Sequence, residues 1–133
     1  MICLDTDFLI ALWRSRGTAG HPTRRVLEDH PGEVLAVCAV AAGEFLEGAA
    51  CVSEERLREA TRFLRLFEIA PATFQTAVHY AQAVAELRRR GLLAGISKAD
   101  MWIAAAALEH RVRLVTRNTR HFERIAGLRL IAF

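Results

Sequence analysis

Residues 1–10, MICLDTDFLI, run three apolar positions (Ile2, Cys3, Leu4) directly into Asp5, Thr6 and Asp7 before turning apolar again at Phe8. MICLD reads as a short buried strand, and a helix with Leu9, Ile10, Leu12 and Trp13 follows from about Thr6 to Arg16. Asp5 at this junction can cap the helix, with Asp7 suiting the positive end of its dipole. Alternatively, the two carboxylates hold a cation. The local sequence leaves both readings open.

Further along, the same alternation repeats. SRGTAGHP (15–22) is a loop, and Pro22 opens a second helix reaching about His30. PGEVLAVCAV (31–40) gives a turn and a β-branched strand, and a helix spans Ala39 to Ala50. Ser53 with Glu54 and Glu55 starts another helix, to about Leu66. FEIA is a short strand ended by Pro71, and a long helix runs from about Thr73 to Arg90. Ser97 caps a helix to His110, RLVT is a strand, RNTRHFERI holds a short helix, and LRLIAF is a final strand. Strands alternating with helices, with few polar strand faces, predict a three-layer α/β/α sandwich around a mostly parallel sheet of about five strands. Ligands of such sheets bind beyond the carboxyl ends of the strands, where Asp5 and Thr116 fall.

At 133 residues and 53% hydrophobic content the chain suits one domain, 1–133, with a packed core. The longest apolar run, VLAVCAVAA (34–42), is too short for a membrane span, and the N-terminal acids do not suit a secretory signal. A cytoplasmic protein is expected. Cys3, Cys38 and Cys51 lack zinc-site spacing and read as buried, reduced thiols. Of 18 basic residues Lys98 is the sole lysine, and the formal net charge is +3. Arginine's planar fork suits phosphates, although an arginine-rich, alanine-rich composition also follows from a GC-rich genome.

Two further acids stand out. Asp100, in SKADMWIAAAALEH, shares a helical face with Ile103, Ala104, Ala107 and Leu108. It can close a capping box with Ser97, serve as a ligand, or do both. Glu44 lies among small residues in AVAAGEFLEGA, with Glu47 one turn on as its competitor. Clustered carboxylates repel, and a bound hard cation, magnesium or manganese, removes the conflict.

Four stretches in series, LDTDFLI, GEFLEG, KADMWIAAAAL and LVTRNTRHFERIAGLRLI, resemble the PIN-domain family over nearly the whole chain, most closely its VapC-like toxins. The resemblance implies a ribonuclease dependent on Mg2+ or Mn2+, with Asp5, Glu44 and Asp100 as carboxylate ligands. It also implies Thr6 beside the metal, and Thr116 and Asn118 at the mouth of the site. A homodimer is implied as well, with an antitoxin partner that blocks the acids with an arginine and packs along apolar helices. Trp13, Phe63, Leu64 and Phe67 are candidates for such surfaces. Two positions depart from the family pattern. Asp7 stands where asparagine is usual, and His121 stands where a fourth acid is frequent, which makes it a candidate ligand, a phosphate contact or a bystander.

Lys98, Arg117 and Arg120 are candidate RNA contacts, and the Arg88 to Arg90 run can extend the path or form a solvated face. Looped or single-stranded RNA suits a shallow acidic site. Two other readings compete. One is a catalytically impaired PIN-like module that binds RNA or protein without turnover. The other is an aspartyl-phosphate phosphatase built on Asp5 and Asp7, for which the chain is short and Leu9 is the wrong residue type.

Overall fold

The computed structural model describes residues 1–16 and 18–133. Five strands, β1 (Ile2–Leu4), β2 (Leu35–Cys38), β3 (Glu68–Ala70), β4 (Arg113–Thr116) and β5 (Arg129–Ala132), form one sheet in the order β3-β2-β1-β4-β5. Every pairing is parallel: Ile2 stands opposite both Leu35 and Arg113, and Leu4 opposite Val115. With the helices, the sheet forms the expected α/β sandwich.

The helices are α1 (Thr6–Arg14), α2 (Pro22–Asp29), α3 (Ala39–Ala50), α4 (Glu54–Leu64), α5 (Phe74–Arg89), α6 (Lys98–Glu109) and the short α7 (Thr119–Phe122). They pack mainly as two groups, α1 to α4 with one another and α5 with α6, while α3 also touches α6. Right-handed crossovers in a sheet whose order reverses produce this grouping. The chain steps outward from β1 through β2 to β3, then crosses back to lay β4 on the other flank of β1. The crevice between β1 and β4 is therefore the topological switch point, where open parallel sheets bind ligands.

The core explains the apolar runs. Ile2, Leu4, Val37, Leu114 and Val115 are fully buried in the central strands, and α6 buries Met101 and the whole stretch from Ile103 to Ala107. That helix is apolar around most of its circumference because α5 covers one side and the sheet the other. Glu109 at its last turn accepts hydrogen bonds from the hydroxyls of Thr73, at 2.7 Å, and Thr76, tying the end of α6 to the start of α5.

Several expectations need correction. Helix α1 ends at Arg14, not Arg16, and α4 at Leu64, not Leu66, because the chain turns where the cap N–H groups of Ser15 and Arg65 bond back to Ala11 and Phe63. The loop expected over residues 15–22 includes Gly17, which lies outside the described residues. Cys3 and Cys38 are buried, but Cys51 is exposed, since it caps the end of α3 where no sheet lies over it. Trp13, Phe63 and Leu64 are buried in an aromatic cluster that includes Phe45; Phe67, half-buried, stacks on its edge. The edge strand β3 exposes Glu68 and Ile69, so the layers cover the central strands more fully than the rim.

Candidate active site

The end of β1 places Asp5 at the switch point. Its backbone N–H still donates to Val115 of β4, while its extended φ and ψ make it the N-cap of α1. One carboxylate oxygen, Oδ1, accepts the Thr6 N–H at 2.7 Å, and Oδ2 accepts the Thr116 hydroxyl at 2.6 Å. The capping role is thus real, and it leaves the carboxylate at the mouth of the crevice. Burial, its strongest influence, pushes the Asp5 carboxyl up to about 7; the charges of Asp7 and Asp100 push the same way, against the hydrogen bonds from Thr116 and Thr6.

Thr6 links the first acid to the third helix. While its N–H holds Asp5, its hydroxyl donates to Glu44 Oε2 at 2.6 Å. Glu44 is half-buried, whereas Glu47 is exposed, and it is Glu44 that the Thr6 hydroxyl ties to the end of β1. No side chain stands in the way at Gly43 or Gly48, where an added methyl would meet open space.

Asp7 does more than suit a dipole. Its Oδ2 accepts the backbone N–H of Arg117 at 2.9 Å, joining the first turn of α1 to the segment just beyond β4. Its other oxygen, Oδ1, is buried and finds no hydrogen-bond partner. Burial raises the Asp7 pKa, opposed by the N–H groups of Arg117 and Phe8, by the charge of Arg117 and by hydrogen bonding with Asp5.

Asp100 and Ser97 form the reciprocal capping box: the Asp100 N–H donates to Ser97 Oγ at 3.0 Å and Asp100 Oδ2 accepts the Ser97 N–H at 3.4 Å. Beyond β4, the Asn118 N–H donates to Thr116 Oγ1 at 3.0 Å, and the Asn118 amide donates to His121 Nδ1 at 2.9 Å. Lys98, Arg120 and Arg88 to Arg90 are exposed. The Arg117 guanidinium, also exposed, lies 4.9 Å over the Phe133 ring.

These residues bring Asp5, Asp7, Thr6, Glu44, Thr116 and Asn118 into one linked network, with Asp100 close enough to raise the Asp5 pKa. Among the described residues, no three carboxylate, imidazole or thiol groups converge on a common point at ligand distance. The chemistry of the donors nevertheless fits a hard divalent cation. The set is all oxygen. The main influences on Asp5 include repelling carboxylates and no positive charge, and Asp7 Oδ1 is a buried acceptor with nothing to accept. A cation beside Asp5 would offset the repulsion there. The tie between Asp7 and Arg117 escaped the sequence because the two are 110 positions apart and no local pattern joins them.

The PIN domain pattern matches residues 2–128. Ribonuclease VapC1 of Methanocaldococcus jannaschii is 30% identical over 125 residues, spanning 93% of this chain and 80% of its own length. The tRNA(fMet)-specific endonuclease VapC of Salmonella typhimurium is 32% identical over 98 residues, spanning 72% of this chain and 73% of its own. Among solved structures, a chain of DNA-bound VapBC from Salmonella typhimurium superposes with a TM-score of 0.84 at 26% identity, covering 99% of this chain and 98% of the other.

Proposed function

This chain belongs to the PIN-domain family, and from that premise we propose that it is an endoribonuclease, the toxin of a toxin–antitoxin pair, built as one such domain over residues 1–133. The observation that carries the reading is the Thr6 bridge between Asp5 and Glu44 at the switch point, with Asp100 near enough to repel Asp5 and no counter-charge among the main influences on it. A purely structural N-cap gains nothing from such frustration. A site that binds a cation does.

Asp5, Glu44 and Asp100 are the side chains that would hold Mg2+ or Mn2+. The bound ion would supply Lewis acidity, lowering the pKa of an attacking water and offsetting charge on the phosphodiester. The chain's own residues prepare this. Thr116 and Thr6 fix the two oxygens of Asp5, and the same Thr6 orients Glu44. Ser97 fixes Asp100 through the capping box. Asn118 is at the mouth, and Lys98, Arg117 and Arg120 offer exposed cations to RNA phosphates on that side. His121 is the remaining candidate ligand, and its Nδ1 is already committed to Asn118.

An antitoxin partner fits a groove of about 800 Å3 lined by Leu12, Leu27, Leu35, Phe63 and Phe67, with Arg16 and Arg62 outnumbering the one carboxylate, Glu59, in its lining. An amphipathic segment with acids flanking an apolar face would complement it. A homodimer of the toxin completes the proposed assembly. No helix is long and apolar enough to cross a membrane, among the described residues.

The test is cleavage of a broad RNA pool by the purified chain with Mg2+ or Mn2+, beside chelator and beside Asp5→Asn. Metal-dependent cleavage that falls by at least about 100-fold in the variant is expected, the scale for loss of a residue essential to charge stabilisation. Intact RNA with folded, metal-replete wild type would overturn the enzyme in favour of the binding module.

A further inference from the structure

The loop between α5 and α6, residues 91–97, leads into Ser97 and hence into Asp100; Leu92, Leu93 and Ile96 pack against the core, whereas Ala94 and Gly95 between them are exposed. Gly91 and Gly95 adopt φ of 67° and 84°, a region open to glycine, and most of the loop is exposed. Its own hydrogen bonds include only short links such as Leu92 N–H to Leu87 O and Ile96 N–H to Leu93 O. The exposed part of such a segment is the part that opens locally unless other elements hold it.

The segment around α7 does hold it, from two sides. Arg124 Nη1 donates to the carbonyls of Leu92 at 3.2 Å and Ala94 at 3.0 Å, and Arg90 donates to the Arg124 carbonyl at 3.2 Å. The His121 ring lies over Gly95: a methyl group there would sit 3.5 Å from Nε2 and 3.8 Å from Cε1. The orientation of that ring is itself fixed. Its Nδ1 lies 2.9 Å from the Asn118 side-chain nitrogen, a hydrogen bond that holds the ring in place. Asn118 in turn donates to Thr116, and Thr116 to Asp5. A series of hydrogen bonds therefore runs from Asp5 through Thr116 and Asn118 to His121, whose ring faces Gly95, two residues before the cap of Asp100's helix.

We propose that His121 is a positioning residue: together with Arg124 it latches the loop 91–97 against α7 and thereby sets Asp100 relative to Asp5. Its catalytic consequence rests on the ribonuclease reading; the latch itself does not. The histidine acts through the loop and touches neither the cation nor the RNA.

The experiment is amide hydrogen exchange of the full chain, read at residues 91–97, for wild type, His121→Ala, His121→Phe and Arg124→Ala, with RNA cleavage measured on the same samples. His121→Ala and Arg124→Ala are expected to speed exchange in this loop about tenfold while core strands are unchanged, the signature of local opening. His121→Phe keeps a ring over Gly95 and should retain most of the protection. In cleavage, His121→Ala should lower kcat about tenfold with KM within about twofold, as for a misplaced catalytic group. Unchanged exchange in His121→Ala overturns the latch whatever the activity does. A raised KM with normal exchange overturns it too, in favour of direct RNA contact. If the wild type cleaves nothing, the ribonuclease reading falls, and the exchange rates alone still decide for or against the latch.

Discussion

Thr116 donates its hydroxyl to Asp5 Oδ2 at 2.6 Å across 111 positions of sequence, with both side chains buried at the ends of adjacent strands. Thr116→Val keeps the shape and removes the donor. It should lower the unfolding free energy by about 1–3 kcal/mol, the cost of stranding a buried acceptor, measured by urea denaturation at pH 7. Thr116→Ser, which keeps the hydroxyl, should recover most of the loss. Equal stability in the valine variant would mean that the bond contributes nothing to the fold.

Asp5 makes the cation-free protein sensitive to pH in an unusual direction. Its folded carboxyl sits at about 7 instead of its ordinary 3.8, so the folded state binds a proton that the unfolded state has released between those values. Stability is therefore lost as pH rises from about 4 to 7, and the loss is complete above that. Asp5→Asn cannot ionise. In chelator above pH 7 it should be more stable than wild type by on the order of 2–4 kcal/mol, with the gap closing toward pH 4. Thermal melts across that range check it, and a gap independent of pH would contradict the assignment.

Glu109 predicts the opposite slope. Its pKa is lowered from the ordinary 4.5, against the effect of burial, by the hydroxyls of Thr76 and Thr73. It stabilises the fold above the unfolded value, and that contribution disappears as pH falls through the folded one. Glu109→Gln should cost about 1–2 kcal/mol at pH 7, as for hydrogen bonds to a charged group, and progressively less below pH 4.5. Denaturant midpoints at pH 7 and pH 4 separate this from a loss of packing, which would not fade.

The three thiols should differ in reactivity. Burial pushes the Cys3 thiol up to about 12 and raises Cys38, while Cys51 is exposed. Since thiolate is the reacting form, iodoacetamide at pH 8 should label Cys51 in the native protein and all three only in denaturant. Mass spectrometry of the peptides reads the outcome. Native labelling of Cys3 would show that the central strand opens.

The layout of the fold could be read from where polar residues interrupt apolar runs. Asp5 and Thr116 end strands, Ser53 and Ser97 begin helices, and these local signals place the elements to within a turn. Their reach stopped at tertiary contacts. Cys51 looks like Cys3 in a composition count, and only the end of α3 exposes it. Trp13 looks as suited to a partner as Phe67, and only its packing against Phe45 and Phe63 buries it. At the site, the acids announced themselves by sitting in apolar surroundings, whereas the bonds from Thr6 to Glu44 and from Asp7 to Arg117 depend on which strand ends meet.

The central position of β1 also imposes an order on synthesis. The strand that leads into Asp5 is made more than a hundred residues before one of its two neighbours, β4. Until then Asp5 has no Thr116 to hold it and the crevice has one wall. Non-local closure of this kind is slow and comes late in folding. The crevice that holds Asp5 is thus completed by the most non-local pairing of the sheet, and any change that loosens β4 from β1 opens the site before it touches a single carboxylate.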